Sequence, residues 1–151
     1  MKTSFKNSFE KLKKADEKSI INPNPDDPRE ILNQLIKDLN DAYPSQLDGT
    51  IGFGEDMISA KRTDYNFYLI AAIGGGYVYH LFSLVPHGDH SDNLGYPLDL
   101  KLGKTGVDMG LAKDGGDLRE LIEKALESTL VQNIIINLVE QARHYKESRN
   151  G

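Results

Sequence analysis

The chain contains no cysteine, which closes off disulfides, thiolate metal sites and thiol nucleophiles together. That absence accords with a reducing compartment, and a cytoplasmic protein is the expectation. Histidine is scarce, with four residues in 151, so any imidazole chemistry must come from a small set. Positive charge is not in excess: 18 Lys and Arg face 23 Asp and Glu, a formal net charge of −5. Nucleic-acid binding needs a clustered positive surface, so nucleic acid is not an expected partner. No apolar h-region follows Met1 to Lys6, and no signal peptide is expected. The apolar stretch 67–85 is interrupted by Gly74-Gly75-Gly76, with Tyr77, Tyr79 and His80 beyond. Such a stretch makes a poor membrane-spanning helix, so no membrane partner is expected.

Several reaction motifs are missing as well. There is no G-x-S-x-G nucleophile elbow. Gly103-Lys104-Thr105 imitates the end of a phosphate-binding loop, but position 98 is Leu98 where that motif needs glycine. A strand-like segment follows the triplet, whereas a phosphate loop opens a helix. Gly74-Gly75-Gly76 and Gly52-Phe53-Gly54 lack the strand-loop-helix setting of a dinucleotide site and read as turns. The carboxylate pairs Asp26-Asp27 and Glu55-Asp56 fall at a helix cap and in a turn, where local hydrogen bonding accounts for them. No catalytic residues are nominated, and a non-enzymatic protein is the expectation.

What is present suits one soluble domain spanning 1–151, since 38% hydrophobic and 27% charged residues describe a chain able to build a core. Phe5, Phe9 and Leu12 repeat at helical spacing among lysines, which predicts a short amphipathic helix within 1–20, an appendage free to move. Asn22-Pro23-Asn24-Pro25 interrupts it. Asp27, Pro28 and Glu30 then form a helix start, and Ile31, Leu32, Leu35, Ile36 and Leu39 supply an apolar stripe ending at Tyr43-Pro44.

Two short strands are expected around 51–53 and 57–61, turning through Gly54-Glu55-Asp56. Longer ones are expected over 65–73 and 77–85, apolar on both faces and therefore central. Residues 98–102 and 107–111 alternate more weakly and read as edge strands. Asp117 with Glu120 predicts a second capped helix running to about Tyr145, with a bend at Ser128-Thr129. The class is α+β: an antiparallel meander of about 4–6 strands over residues 50–111, packed by two N-terminal helices and one long C-terminal helix.

Two groups of residues stand out within this frame. His87, Asp89, His90 and Asp92 place two imidazoles and two carboxylates within six residues, ligand types suited to a divalent metal such as Zn²⁺. A solvated turn capped by its own carboxylates competes with that reading, and no cofactor is expected in the leading one. His80 lies mid-strand, where an imbedded imidazole serves either proton transfer or simple core hydrogen bonding. The second group is aromatic: Tyr65, Tyr68, Tyr77, Tyr79 and Phe82 offer apolar area with polar tips, the material of a binding surface or of a sheet–helix interface.

The leading expectation is a small acidic binding protein that acts through a protein partner, a basic one by charge, in the manner of an inhibitor, a toxin-immunity protein or an effector chaperone. The alternative is a small-molecule or metal-binding, hydrolytic protein that uses the 87–92 loop beside an aromatic pocket. A third possibility is assembly, including a homodimer, through the run Ile134-Ile135-Ile136, which nearly encircles its helix.

Overall fold

Asp27 sets the first long helix. Its backbone is extended, its carboxylate accepts from the Arg29 amide at 2.9 Å, and Pro28 occupies the first turn, where a missing N–H costs nothing. The computed structural model describes residues 5–11, 24–55, 63–87, 95–103 and 106–150. A short helix, α1, covers 6–11, and α2 spans Pro28–Ala42. Five strands follow: β1 (Leu47–Glu55), β2 (Thr63–Ala71), β3 (Tyr77–Pro86), β4 (Leu98–Leu102) and β5 (Val107–Ala112). Helices α3 (Gly115–Glu127) and α4 (Thr129–Asn150) complete the α+β fold.

The sheet is a meander in the order β1-β2-β3-β4-β5, every pair antiparallel. It is longer at its start than expected. One nine-residue strand occupies 47–55, and Gly54 and Glu55 continue its ladder instead of turning. The strand expected at 57–61 lies outside the described residues. β4 is interior, not an edge: a sequential meander of five leaves only β1 and β5 at the margins, and Leu98, Leu100 and Leu102 are all buried.

Register assigns the faces. Phe67, Leu69 and Ala71 of β2 stand beside Phe82, Leu84, Leu98, Leu100 and Ala112 in one core, together with Leu32 of α2, Leu118 and Ile122 of α3, and Val131 and Leu138 of α4. The Phe67 and Phe82 rings stack at its centre with centroids 5.1 Å apart. Gly49 belongs to this face because a Cβ there would press on both the Phe67 ring and Ile36 of α2. Among the described residues no helix packs on the opposite face, which carries Tyr68, Ile70, Val78, Val85 and Leu111. Among the described residues α2, α3 and α4 therefore form one layer, and β2 and β3, expected to be apolar on both faces, are covered on that side only.

The C-terminal helical run divides at Ser128. This residue leaves the helix with φ −66° and ψ 144°, its amide and hydroxyl both donate to the Ala125 carbonyl, and its Oγ accepts from the Val131 amide at 3.3 Å. One serine ends α3 and opens α4. The first of these helices begins earlier than expected. Asp114 is its N-cap, accepting from the Asp117 amide at 2.9 Å, and the Asp117 carboxylate reaches back to the Lys113 amide at 3.1 Å. The reciprocal pair resembles a capping box, and it carries Gly115 and Gly116 into the first turn.

The chain entering α2 is pinned against this same corner. The Tyr96 hydroxyl donates to the Asp26 carbonyl at 2.7 Å, and Arg119 Nη2 donates to the Pro25 carbonyl at 2.8 Å.

Candidate functional site

Three features of the fold bring functional groups together. The first is on the open face of the sheet. Between Phe67/Tyr68 and its partners the β2–β3 register slips: Phe67 pairs with Phe82 and Tyr68 with His80, which leaves Leu81 as an extra residue. Residues three apart in a regular strand point to opposite faces, and the bulge reverses that parity. His80 Nε2 thereby comes within 2.7 Å of Ser83 Oγ. The Ser83 hydroxyl donates onward to Asn66 Oδ1 at 2.6 Å, so the imidazole is the donor to Oγ and the Nε2–H tautomer is present. An activated serine has the reverse polarity, giving its proton to the imidazole. The Tyr68 ring lies 5.0 Å from that of His80. On its other side it fills the space left by Gly52, where a Cβ would come within 2.8 Å of Tyr68 Cε2. The chain His80–Ser83–Asn66 is a satisfied polar network under an aromatic lid.

The second feature is at the end of β3. The His87 amide donates to the Pro97 carbonyl at 2.8 Å, and its Nδ1 stands 2.7 Å from Asp99 Oδ2. Asp99 is 14% exposed and the His87 side chain 60%. A carboxylate on Nδ1 fixes the tautomer and leaves Nε2 as an acceptor, an arrangement common to metal ligands and to proton-transfer histidines. Of the other residues expected to join it, Asp89, His90 and Asp92 lie outside the described residues. Among the described residues no group of three or more His, Asp or Glu is placed to hold a metal ion.

The third feature is a groove of about 550 Å³ between α2 and the α3–α4 pair. Leu35, Leu39, Leu126, Ile135 and Ile136 line it, with Asp38 as its charged residue. Asp38 is held in place by Gln34, whose Nε2 donates to Oδ1 at 2.9 Å. Ile136 is 51% exposed, a large apolar side chain left in solvent beside an apolar trough.

The five aromatics do not share a surface. Phe82 is fully buried in the core stack, and Tyr79, opposite Leu69, packs against that core. Tyr65 and Tyr77 lie on the helix face by register, Tyr77 half-exposed at the start of its strand. Tyr68 alone is on the open face. Tyr65 sits near the start of α2: burial pushes its phenol up from the ordinary value of 10.0, Asp27 pushes it further and Arg29 opposes. The Arg29 guanidinium, hydrogen-bonded to Asp27, is pushed above its ordinary value by that carboxylate.

Three participants carried no signal in the sequence. Asp99, Asn66 and Asp38 each look like ordinary surface residues, and only strand pairing or helix packing brings them to their partners. Compared with protein-family models, with curated proteins and with solved structures, the chain matches none.

Proposed function

We propose that this chain is a small acidic, non-enzymatic binding protein whose partner docks through the α2–α4 groove. The observation that carries this reading is the groove itself, walled by Leu35, Leu39, Ile135 and Ile136. A trough between two helices suits an amphipathic helix that lays its apolar face into it. Asp38 and the net charge of −5 favour a basic partner. An inhibitor, a toxin-immunity protein or an effector chaperone acting in the cytoplasm fits this description. Support also comes from the Ser83 network, whose proton polarity is wrong for a nucleophile.

The test is affinity capture from the native host with the intact chain and with Ile136→Asp, a change at an exposed position that leaves the core alone. A stoichiometric basic protein, retained by the wild type and reduced at least tenfold by Ile136→Asp with thermal unfolding unchanged, supports the reading. Equal recovery by the two chains, or no stoichiometric partner at all, defeats it.

The His87–Asp99 pair favours a second reading, a metal-binding or hydrolytic site built around the 87–92 loop. It rests on the carboxylate-oriented imidazole. Calorimetric titration with Zn²⁺ decides it: binding that falls at least tenfold in both His87→Ala and Asp99→Asn supports this reading, and heat indistinguishable from buffer in the wild type removes it.

A further inference from the structure

A second cleft, of about 560 Å³, shares no lining residue with the α2–α4 groove. It is walled by Ser45 and Gln46 ahead of β1, by Gly74 in the β2–β3 turn, and by Ala142, Tyr145 and Lys146 of α4. Its size suits a small organic molecule. Lys146 is its one charged residue, and among the described residues no carboxylate lines it, although the chain as a whole carries a net charge of −5. Helix periodicity places that lysine. Val131, Leu138, Val139 and Ala142 form the buried line of α4, and Lys146 stands one turn beyond Ala142 on the same side. Among the described residues it makes no ion pair.

Ser45 supplies an independent observation. The Gln46 amide donates to the Tyr43 carbonyl at 3.2 Å, with Pro44 second in that turn and Ser45 third at φ 70°. This is the type II pattern, whose third residue is ordinarily glycine because a Cβ is strained at positive φ. Ser45 is the only non-glycine residue at positive φ among the described residues. Strain of this kind persists where the side chain is used. Local bonding does not account for it, since among the described residues the Ser45 hydroxyl has no hydrogen-bond partner. Gly74 adds a backbone donor. The turn around it is closed by the Ile73 amide on the Ala71 carbonyl at 2.8 Å and the Gly76 amide on the Ile73 carbonyl at 3.1 Å, while the Gly74 amide donates to no described residue.

We infer that this cleft binds a small phosphomonoester, its phosphate oxygens held by the Lys146 ammonium, the Ser45 hydroxyl and the Gly74 amide, and its body set against Ala142 and the Tyr145 ring. Three separate donors match a tetrahedral phosphate with several acceptor oxygens. A planar carboxylate is better served by a guanidinium fork, and no arginine lines the cleft. Gln46 offers both a donor and an acceptor to hydroxyl groups of the ligand's body. The inference is independent of the groove and stands whether or not a partner helix docks there.

The probe is inorganic phosphate, the group common to all such ligands, titrated into the full chain at constant ionic strength and followed by amide chemical shifts. Saturable shifts at Ser45, Gly74 and Lys146 with a dissociation constant of about 1 mM are expected, the affinity open to so small an anion. Lys146→Gln and Ser45→Ala should each weaken binding about tenfold, and Lys37→Gln, at an exposed position on α2, should leave it unchanged. Ser45→Gly separates strain from use: it should lose binding as Ser45→Ala does, yet unfold at a midpoint no lower than the wild type because the turn relaxes. Shifts that stay linear in phosphate well above that concentration overturn the inference. So does undiminished binding in Lys146→Gln or Ser45→Ala, and so does an equal loss in Lys37→Gln, which marks diffuse attraction to surface charge. Acetate bound as tightly as phosphate overturns the choice of a phosphate ligand.

Discussion

The Tyr96 hydroxyl and the Asp26 carbonyl are hydrogen-bonded at 2.7 Å across 70 residues of chain. The bond ties the connection before β4 to the entry of α2. Gly115 completes this corner, because a Cβ there would lie 2.9 Å from the Asp26 Cα and closer still to its carboxylate.

Removing either element loosens the corner to a different degree. Tyr96→Phe should cost about 1 kcal/mol, the net worth of one hydrogen bond with little change in volume. Gly115→Ala should cost about 1–3 kcal/mol, because backbone must move to admit the methyl. Urea unfolding measures both, and an alanine variant as stable as the wild type would show that the close approach is not there.

Ser128 should behave as a double cap. Ser128→Ala loses the hydroxyl bond to the Ala125 carbonyl and the acceptor for the Val131 amide. A loss of about 0.5–2 kcal/mol is expected. Hydrogen exchange supplies the sharper readout, with faster exchange at the α3–α4 junction and unchanged exchange in β3.

The Phe67–Phe82 stack places a large buried volume at the centre of the sheet. Phe82→Ala should destabilise by about 3–5 kcal/mol, whereas Tyr77→Ala, at a half-exposed position, should cost less than about 1 kcal/mol. Similar midpoints for the two variants in chemical denaturation would contradict this difference in burial between them.

Stability should depend on Tyr65 at alkaline pH. The folded state holds the phenol proton more tightly than the unfolded chain does, because burial raises its pKa above 10.0. The resulting stability is fully present below pH 10 and is lost as pH rises through the raised value. Tyr65→Phe should therefore flatten the fall of unfolding free energy above that pH. Wild-type and variant curves that remain parallel there would assign the alkaline limb to other groups.

Much of this architecture was legible in the sequence where the signal is local. Asp27-Pro28 announces a helix start through its own side chain and ring, and Ser128-Thr129 marks the break between α3 and α4. The aromatic, β-branched run around Gly74-Gly75-Gly76 identifies β2 and β3. The start of β1 was hidden because its glycines argue against a strand. Gly49 and Gly52 are there to admit the rings of Phe67 and Tyr68, residues on the neighbouring strand. Asp117 attracted the N-cap assignment that belongs to Asp114, since both carboxylates take part in one reciprocal arrangement. The site was harder still. His80 meets Ser83 only because a bulge shifts the register, and His87 meets Asp99 only because β3 pairs with β4. The groove was not anticipated: the run Ile134-Ile135-Ile136 reads in the sequence as an assembly element, and the packing of α2 beside α4 is what makes Ile135 and Ile136 groove walls.

The strictly sequential order of the strands also has a kinetic meaning. Every ladder joins chain neighbours, so the sheet can grow hairpin by hairpin with short loop closures, the condition for a low contact order and comparatively fast folding. Long closures remain, among them the packing of α4 on β1 and β2 and those of the α2 entry, 70 residues to Tyr96 and 94 to Arg119. Contacts so distant in sequence gain least until the intervening chain is ordered. That corner should be the last part to form on the folding side of the barrier, with φ-values near zero at Arg119 while β2 and β3 already carry high ones.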